Sequence, residues 1–294
     1  MSGIPRFPIR RSYPEYCKEP EVDLYVLFFK VALLAYFLSS LGYVLSLLSK
    51  RAMVAGASTW ILFSAFLIHT ASLVLRFLIT GYAPVVNLYD AFSFFSWAVT
   101  GIYLLLQLKT QTRELGAFVS PMAFFMMMIA SARLGSEVRI PAILQGSLVP
   151  IHITLSILGE SLFAVSCLAG AMYLLQDHFI KHRRVNSLSK ILPPLRDLDR
   201  INHFTLLWGF PLLTLGVILG VIWARTAWGA RWHWDPKQVG TLTVWFLYGF
   251  LLHQRLAIGW NGRKAALFSI GAFLVLLFAF FGINLFFTKV HRFL

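Results

Sequence analysis

Two pairs of histidines occupy matched positions along the apolar runs of this sequence. His69 lies about eleven residues from one end of its run, and His253 lies about fourteen residues from the corresponding end of another. At about 1.5 Å per residue in a helix, these depths are roughly 17 and 21 Å, so the two imidazoles can meet at one level. His152 and His291 lie at the ends of two further runs, at one common surface. The pattern predicts an inner pair and an outer pair.

Paired imidazoles that approach from opposite sides suit the two axial positions of a haem iron. A zinc site would need four tetrahedral ligands, and no cysteine or carboxylate cluster supplies the remainder. A single histidine inside a membrane span is as often a hydrogen-bonded packing residue, and this alternative stays open. The sequence contains no CxxCH motif, so the chain is not itself a c-type cytochrome.

A second concentration of chemistry lies in residues 223–237, which read WARTAWGARWHWDPK. Four of the nine tryptophans of the chain occur in this segment: Trp223, Trp228, Trp232 and Trp234. Interfacial aromatic belts are common in membrane proteins, but a belt is spread over many helix ends rather than gathered in one segment. Flat indoles can pack on a porphyrin face, and nearby cations can neutralise its propionates. The cations available for this are Arg225, Arg231 and Lys237.

The elements that must position these residues are membrane helices. Of 294 residues, 58% are apolar or aromatic and 13% are charged. Soluble domains carry about 25% charged residues, so this composition argues against a soluble domain, and it excludes a disordered chain and a disulfide scaffold. The net charge of +14 comes mostly from short segments between apolar runs. That distribution favours membrane-orienting loops over nucleic-acid binding.

Eight apolar runs approach or exceed the roughly 20 residues that a transmembrane helix needs. They are 24–48, 57–80, 91–107, 116–130, 151–176, 204–224, 239–257 and 267–287. The sequence therefore predicts an all-α integral membrane protein with about eight transmembrane helices. A polar N-terminal arm, residues 1–23, precedes a single polytopic membrane domain, residues 24–294.

Alternate connecting segments differ in their content of basic residues. One set contains twelve lysines and arginines, and the other contains seven. The positive-inside bias therefore places segment 177–203 in the cytoplasm and the Trp-rich segment, 223–238, outside. The N-terminal arm argues mildly against this orientation, because it adds basic residues to the outer set, although as many acidic residues offset them.

Other polar residues have ordinary explanations beside functional ones. His178, His182 and His203 lie in the basic segment, where solvated loop residues are expected. Glu160 lies inside a span, where it either links to a neighbouring helix or acts near an inner haem. Arg76, near an outer end, either extends to the surface or pairs with a haem propionate.

The Trp-rich segment resembles a known signature. Residues 228–237, WGARWHWDPK, are similar to the WGxxWxWDPKE motif (WWD) of the haem-handling cytochrome c assembly proteins. The stretch from Trp245 to Arg255 is similar to the one that follows this motif in the CcsA/ResC branch. Residues 76–90 resemble the RxxxxGxxPxxNxYE segment of the same branch. The resemblance covers most of residues 57–294.

This resemblance implies that the WWD segment positions haem b at the outer surface. The residues of the motif that would do so are Trp228, Gly229, Trp232, Trp234, Asp235 and Pro236. The resemblance also implies an inner haem held by His69 and His253 and an outer haem held by His152 and His291, the same pairs that the depth count gives. The histidines and the motif therefore agree.

The activity implied by the resemblance is that of a holocytochrome c synthase (haem lyase, System II) subunit in the bacterial inner membrane. The implied partners are a CcsB/ResB-type membrane subunit, apocytochrome c, a thiol-reducing thioredoxin-like protein and membrane lipid, with no nucleic acid. Three departures from the family pattern stand out. Gln238 and Asp90 replace glutamates, and His291 is followed by Arg-Phe-Leu rather than Ser-Tyr.

Three other functions share parts of this pattern. A haem exporter or chaperone would hand haem to another protein without attaching it. A membrane b-type cytochrome would exchange electrons with a quinone and would carry no transferable haem. A regulatory membrane protein of the same fold would bind no haem at all. The inner pair, His69 and His253, favours the CcsA branch over the exporter.

Overall fold

The computed structural model describes residues 19–49, 51–110, 112–134, 146–182, 192–228 and 236–282. Within these ranges the chain forms eight α-helices and no β-strand. The helices are α1 (Glu19–Ser49), α2 (Ala52–Thr80), α3 (Leu88–Lys109), α4 (Gly116–Ala130), α5 (Leu148–Lys181), α6 (Leu195–Trp228), α7 (Pro236–His253) and α8 (Gly262–Leu277). Short π-helical segments, Gln254–Ile258 and Phe278–Gly282, follow α7 and α8.

Seven of these eight helices are long and apolar enough to cross a membrane. The remaining one, α7, has 18 residues, and it is less apolar because its first turn contains Lys237 and Gln238 and its last residue is His253. The prediction of an all-α, multi-pass membrane protein is confirmed. Each predicted span overlaps one helix, and α4 occupies the predicted residues 116–130. The end of the last predicted span, residues 283–287, lies outside the described ranges.

The helices that border the basic segment are longer than predicted. α5 continues to Lys181 and α6 begins at Leu195, so His178 and His203 lie on helices. The expectation that both are loop residues is wrong, because polar side chains extend the helices beyond their apolar runs. In the last turn of α5, Asp177 and Lys181 form an ion pair of 2.8 Å at helical i,i+4 spacing.

The helices pack as two groups of four. In the first group α1 packs on α2 and α4, and α3 packs on α4. In the second group α5 packs on α6 and α8, and α7 packs on both α6 and α8. Contacts between α3 and α5 join the groups. We call the end where α6 finishes and α7 begins the WWD end, and we call the opposite end the basic end.

At the WWD end, the segment that the sequence singled out at 76–90 forms a polar clamp between α2 and α3. Arg76 pairs with both carboxylate oxygens of Asp90, at 2.8 and 2.9 Å, and it also donates to the Tyr25 hydroxyl on α1 at 3.1 Å. Gly81 ends α2 with φ of 70°, a conformation that favours glycine. Arg76 therefore has partners within the protein. Neither sequence-based interpretation, extension to the surface or pairing with a haem propionate, named them.

Asn87 begins α3 by accepting a hydrogen bond from the backbone N–H of Asp90 at 2.8 Å. Loss of such a cap costs about 1 kcal/mol, so we expect Asn87→Ala to lower the free energy of unfolding by that amount. The matched control is Asn261→Ala, because Asn261 begins α8 without a side-chain capping bond. Thermal unfolding in detergent measures both. Equal effects of the two substitutions would contradict the capping role.

At the basic end, a buried polar network joins α5, α6, α8 and the segment after α7. Arg255 donates to Asp199 at 3.0 Å and to the side-chain oxygen of Asn202 at 2.9 Å. The same Asp199 oxygen accepts the backbone N–H of Gly262 at 2.9 Å. Asn202 donates in turn to Ser269 on α8 at 2.9 Å. Because Arg255 is two residues beyond His253, the network fixes the position of the chain just after His253.

Candidate functional site

His152 is held in one orientation by α6. It is half-buried near the start of α5, and its Nδ1–H donates to the carbonyl oxygen of Gly216 at 2.6 Å. Because a carbonyl oxygen can only accept, this bond fixes the proton on Nδ1 and leaves a lone pair on Nε2. In the part of the chain that the structure describes, Nε2 has no hydrogen-bond partner. A metal-binding imidazole needs this tautomer and this kind of support.

Two glycines on α6 make room for the His152 ring. A methyl group on Gly220 would lie 2.7 Å from Cε1 and 2.9 Å from Nδ1 of His152, closer than side chains can approach. One turn earlier, Gly216 faces Ser156 in the same way and also supplies the carbonyl acceptor. The α5–α6 contact therefore forms a cradle for the imidazole, at the point where α6 approaches the WWD segment.

The other residues of the predicted outer site lie beyond this cradle. Trp223 is half-buried on the next turn of α6 after Gly220, and Arg225 is exposed. Trp228 is the last residue of α6, and Pro236 is the first residue of α7, a position that proline favours. The remaining predicted residues lie outside the described ranges: Gly229, Arg231, Trp232, Trp234, Asp235 and His291. The pairing of His152 with His291 therefore stays a prediction.

His69 lies fully buried on α2, among residues of α1 and α3. Its Nδ1 is 3.3 Å from the Tyr36 hydroxyl, and its Nε2 is 2.9 Å from the Ser93 hydroxyl. The rings of Phe29 and Tyr36 meet the imidazole edge to face, with centroids at 6.3 and 5.7 Å. Both ring nitrogens are thus engaged with hydroxyl groups of neighbouring helices.

His253 is exposed on the last turn of α7, in the other group of helices. Counted along the observed helices, it lies seventeen residues from the WWD end, against eleven for His69, which is roughly 26 and 17 Å. The described neighbours of His69 come from α1 and α3, whereas α7 packs on α6 and α8. The structure does not bring the two rings together, and the inner pair stays a prediction.

Glu160 lines an apolar cavity between the two groups of helices. The cavity has a volume of about 30 Å³, and its walls include Phe92 and Phe95 on α3, Met126 on α4 and Phe280 after α8. In the described part of the chain Glu160 forms no hydrogen bond or ion pair. The described residues therefore do not form the polar link from Glu160 to a neighbouring helix that one of the two sequence-based interpretations predicts.

Sequence reasoning did not single out Tyr36, Ser93, Gly216 or Gly220. The hydroxyl residues lie in apolar spans, where a serine or tyrosine is common and gives no signal of its own. The glycines are recognisable only by their spacing: Gly220 is four positions after Gly216, so both lie on one face of a helix. Small residues at that spacing allow close approach of two membrane helices.

Comparison with known proteins identifies relatives over most of the chain. Residues 85–291 match the family described as "Cytochrome C assembly protein". The "Cytochrome c biogenesis protein CcsA" of Parasynechococcus marenigrum is 31% identical over 78% of this chain and 83% of its own. The protein of that name from Guillardia theta is 27% identical over 93% and 97%. For the Chlamydomonas reinhardtii protein the identity is 31%, over 75% of this chain and 64% of the relative.

A solved structure shares the fold. The chain titled "Cytochrome c Heme Lyase CcmF" superposes with a TM-score of 0.67 at 18% sequence identity. The match covers 92% of the present chain but 50% of the CcmF chain. At this identity the likeness concerns the arrangement of the helices, and half of the larger protein has no counterpart in the matched region.

Proposed function

Because the chain belongs to the cytochrome c assembly protein family, and therefore serves cytochrome c biogenesis, we propose that it presents haem at the WWD end for covalent attachment to apocytochrome c. The observation that carries this proposal is the His152 cradle. The bond from Nδ1–H to Gly216 leaves the lone pair on Nε2, as an axial ligand requires. In sequence, Gly220 of the cradle precedes Trp223, the first residue of the WWD segment, by three positions.

In this proposal haem is the substrate, and its two vinyl groups accept the cysteine thiols of the CxxCH sequence. The protein contributes position. His152 and His291 hold the iron, and the WWD segment, with Trp223, Trp228, Trp232 and Trp234, covers the porphyrin face. Arg225 and Arg231 neutralise the propionates. Fixed geometry of this kind accelerates a reaction by removing the entropy of approach.

The proposal extends to partners and location. A CcsB/ResB-type membrane subunit completes the synthase, apocytochrome c is the acceptor, and a thioredoxin-like protein keeps the acceptor thiols reduced. The membrane is the bacterial inner membrane, with the WWD end outside. The excess of basic residues at the opposite end supports this orientation.

We expect His152→Ala to lose most of the low-spin haem signal at the WWD end. The substitution removes the oriented imidazole, and His291 alone cannot supply both axial ligands. The measurement is a reduced-minus-oxidised absorption spectrum of the purified protein, beside the His152→Ala/His291→Ala variant. His178→Ala is the matched control, since His178 is exposed at the basic end. A wild-type spectrum in the double variant would contradict an outer site with these ligands.

Attachment and export are separated by a second experiment. The chain is expressed with an apocytochrome c and the CcsB/ResB-type subunit, and covalent haem is detected in the cytochrome after denaturation. Covalent haem that depends on His152 supports the synthase. Haem that reaches the acceptor without covalent attachment would instead identify an exporter.

A further inference from the structure

We propose that the outer face of α1 binds a transmembrane helix of another protein, and that Lys30 beside this face pairs with a carboxylate of that helix. The inference rests on the proposed function in one respect: the CcsB/ResB-type subunit of that proposal is the protein in which the helix is sought.

Helix α1 has two faces, and each repeats with alternating steps of four and three residues. On the inner face, the seven positions at this spacing from Tyr25 to Ser46 are at most 8% exposed, and the helix packs there on α2 and α4. On the outer face, the seven positions at this spacing from Leu27 to Leu48 are at least 43% exposed. They are six leucines and Val31, and we call them the leucine face.

The spacing of the leucine face is that of a seam between two helices. An average step of 3.5 residues keeps one face of a helix against a neighbouring helix along its whole length. Contact with lipid requires apolar side chains but no such repeat. From Leu27 to Leu48 the face extends over roughly 32 Å, about the thickness of the hydrocarbon core. Within the described part of the chain, these side chains stay exposed.

Lys30 supplies a charge beside this seam. It lies six positions after Leu24, where the span of α1 begins, at a depth of roughly 9 Å. Its side chain is exposed, and it forms no ion pair or hydrogen bond with the described residues. A cation at this depth either extends to the lipid headgroups or meets a carboxylate on a neighbouring helix. The second arrangement fits the seam, since charges that flank a heptad seam select the partner.

The same charge argues against a second copy of this chain as the occupant. Two copies enter the membrane in the same orientation, so their α1 helices would pack parallel. A two-fold axis between them would place Lys30 opposite Lys30, and like charges repel strongly where the dielectric constant is low. A different protein with aspartate or glutamate at this depth gains attraction instead. The occupant is therefore a transmembrane helix with a carboxylate near the WWD end.

The first test is Lys30→Glu in the full-length chain, co-expressed with an affinity-tagged CcsB/ResB-type subunit. We expect the amount of chain that copurifies with the subunit to fall roughly tenfold, because a carboxylate then faces a carboxylate. Lys264→Glu is the matched control, since Lys264 is an exposed lysine on α8 at the basic end. Unchanged copurification of Lys30→Glu, or no copurification of the wild-type chain, would overturn the inference.

Charge reversal in the subunit identifies the facing residue. Each aspartate or glutamate within its transmembrane helices is changed to lysine in turn and co-expressed with the Lys30→Glu chain. We expect one such change to restore copurification, because it recreates the ion pair with the charges exchanged. If none of them does, Lys30 does not pair with a carboxylate of this subunit.

The packing of the leucine face is tested by Leu34→Ala/Leu41→Ala. We expect a smaller loss of copurification than for Lys30→Glu, because close contacts are removed without adding repulsion. The control is Leu67→Ala/Leu78→Ala, two leucines of α2 that are 51% and 69% exposed. Equal effects of the two double variants would show that the leucine face meets only lipid. Disulfide-linked dimers of Leu34→Cys in native membranes would identify a second copy as the occupant and overturn the inference.

The haem spectrum separates failure of this inference from failure of the proposed function. The His152 cradle is formed by α5 and α6, so Lys30→Glu on α1 should leave the spectrum of the purified chain unchanged. If haem depends on His152 while copurification does not depend on Lys30, the proposed function stands and the inference fails. If copurification depends on Lys30 while haem does not depend on His152, the interface stands and the haem site fails. Thermal unfolding of each variant shows that a loss does not reflect misfolding.

Discussion

Gly220→Val is expected to deplete haem at the WWD end as strongly as loss of His152 itself. Even a methyl group at position 220 would lie 2.7 Å from the imidazole, and the two methyl groups of valine occupy still more of its space. The ring must then leave its place, and with it the bond to Gly216. Overpacking of this kind costs about 1–3 kcal/mol, which corresponds to roughly a five- to 150-fold loss of bound haem.

The matched control for this substitution is Gly271→Val. Gly271 lies on α8, and a methyl group there would meet no atom within 4 Å. Both variants lose a helical glycine, so they share the change in backbone entropy and differ in the contact with His152. Haem per polypeptide and the reduced spectrum are measured after purification. Equal haem content in the two variants would show that the α6 cradle does not position His152.

The sequence is sufficient to place the helices because lipid imposes a length and a composition on each of them. Burial of an uncompensated polar residue is costly, so the apolar runs mark the spans directly. The sequence is less informative about where each helix begins and ends. α6 begins at Leu195, nine residues before its predicted start, because Asp199 has a partner in Arg255. That partner is 56 positions away, and no local pattern indicates it.

For the candidate site, the sequence supplied the ligand types but not their surroundings. His152 was recognisable because a histidine at the end of an apolar run matches the family pattern. Its tautomer depends on a carbonyl of Gly216, 64 positions away, and becomes apparent only when α5 and α6 are packed. Residue counting gives depth along a helix but not the direction that a side chain faces, so it did not reveal that His69 and His253 belong to different helix groups.

Arg76 illustrates the same limit. The sequence offered the surface or a haem propionate, yet the ion pair is formed with Asp90, across the turn that joins α2 and α3. Both residues belong to the segment that resembles the family, in which Asp90 replaces a glutamate. Aspartate retains the carboxylate of glutamate, and in this structure Asp90 forms the ion pair with Arg76. The segment therefore contributes to the fold as a clamp between helices.

Arg255→Ala is expected to be the most destabilising single substitution in the described part of the basic end. Arg255 is 8% exposed, and its side chain donates to Asp199, Asn202 and His203. Its removal leaves a mostly buried carboxylate and a buried amide oxygen without their main partner. Breaking one side of a buried ion pair costs about 3–5 kcal/mol, so the free energy of unfolding should fall by that amount.

Unfolding by denaturant in detergent measures the effect, and Arg263→Ala is the control. The Arg263 side chain is 61% exposed and lies 3.8 Å from Asp177, so its loss should cost about 0–1 kcal/mol. Arg255→Lys should fall between the two, because lysine keeps the charge but cannot reach Asp199, Asn202 and His203 with one planar group. If Arg255→Lys were as stable as the wild type, charge alone would hold the basic end together. A loss close to that of Arg255→Ala would show that the branched hydrogen bonding is what joins α6 to the segment after α7.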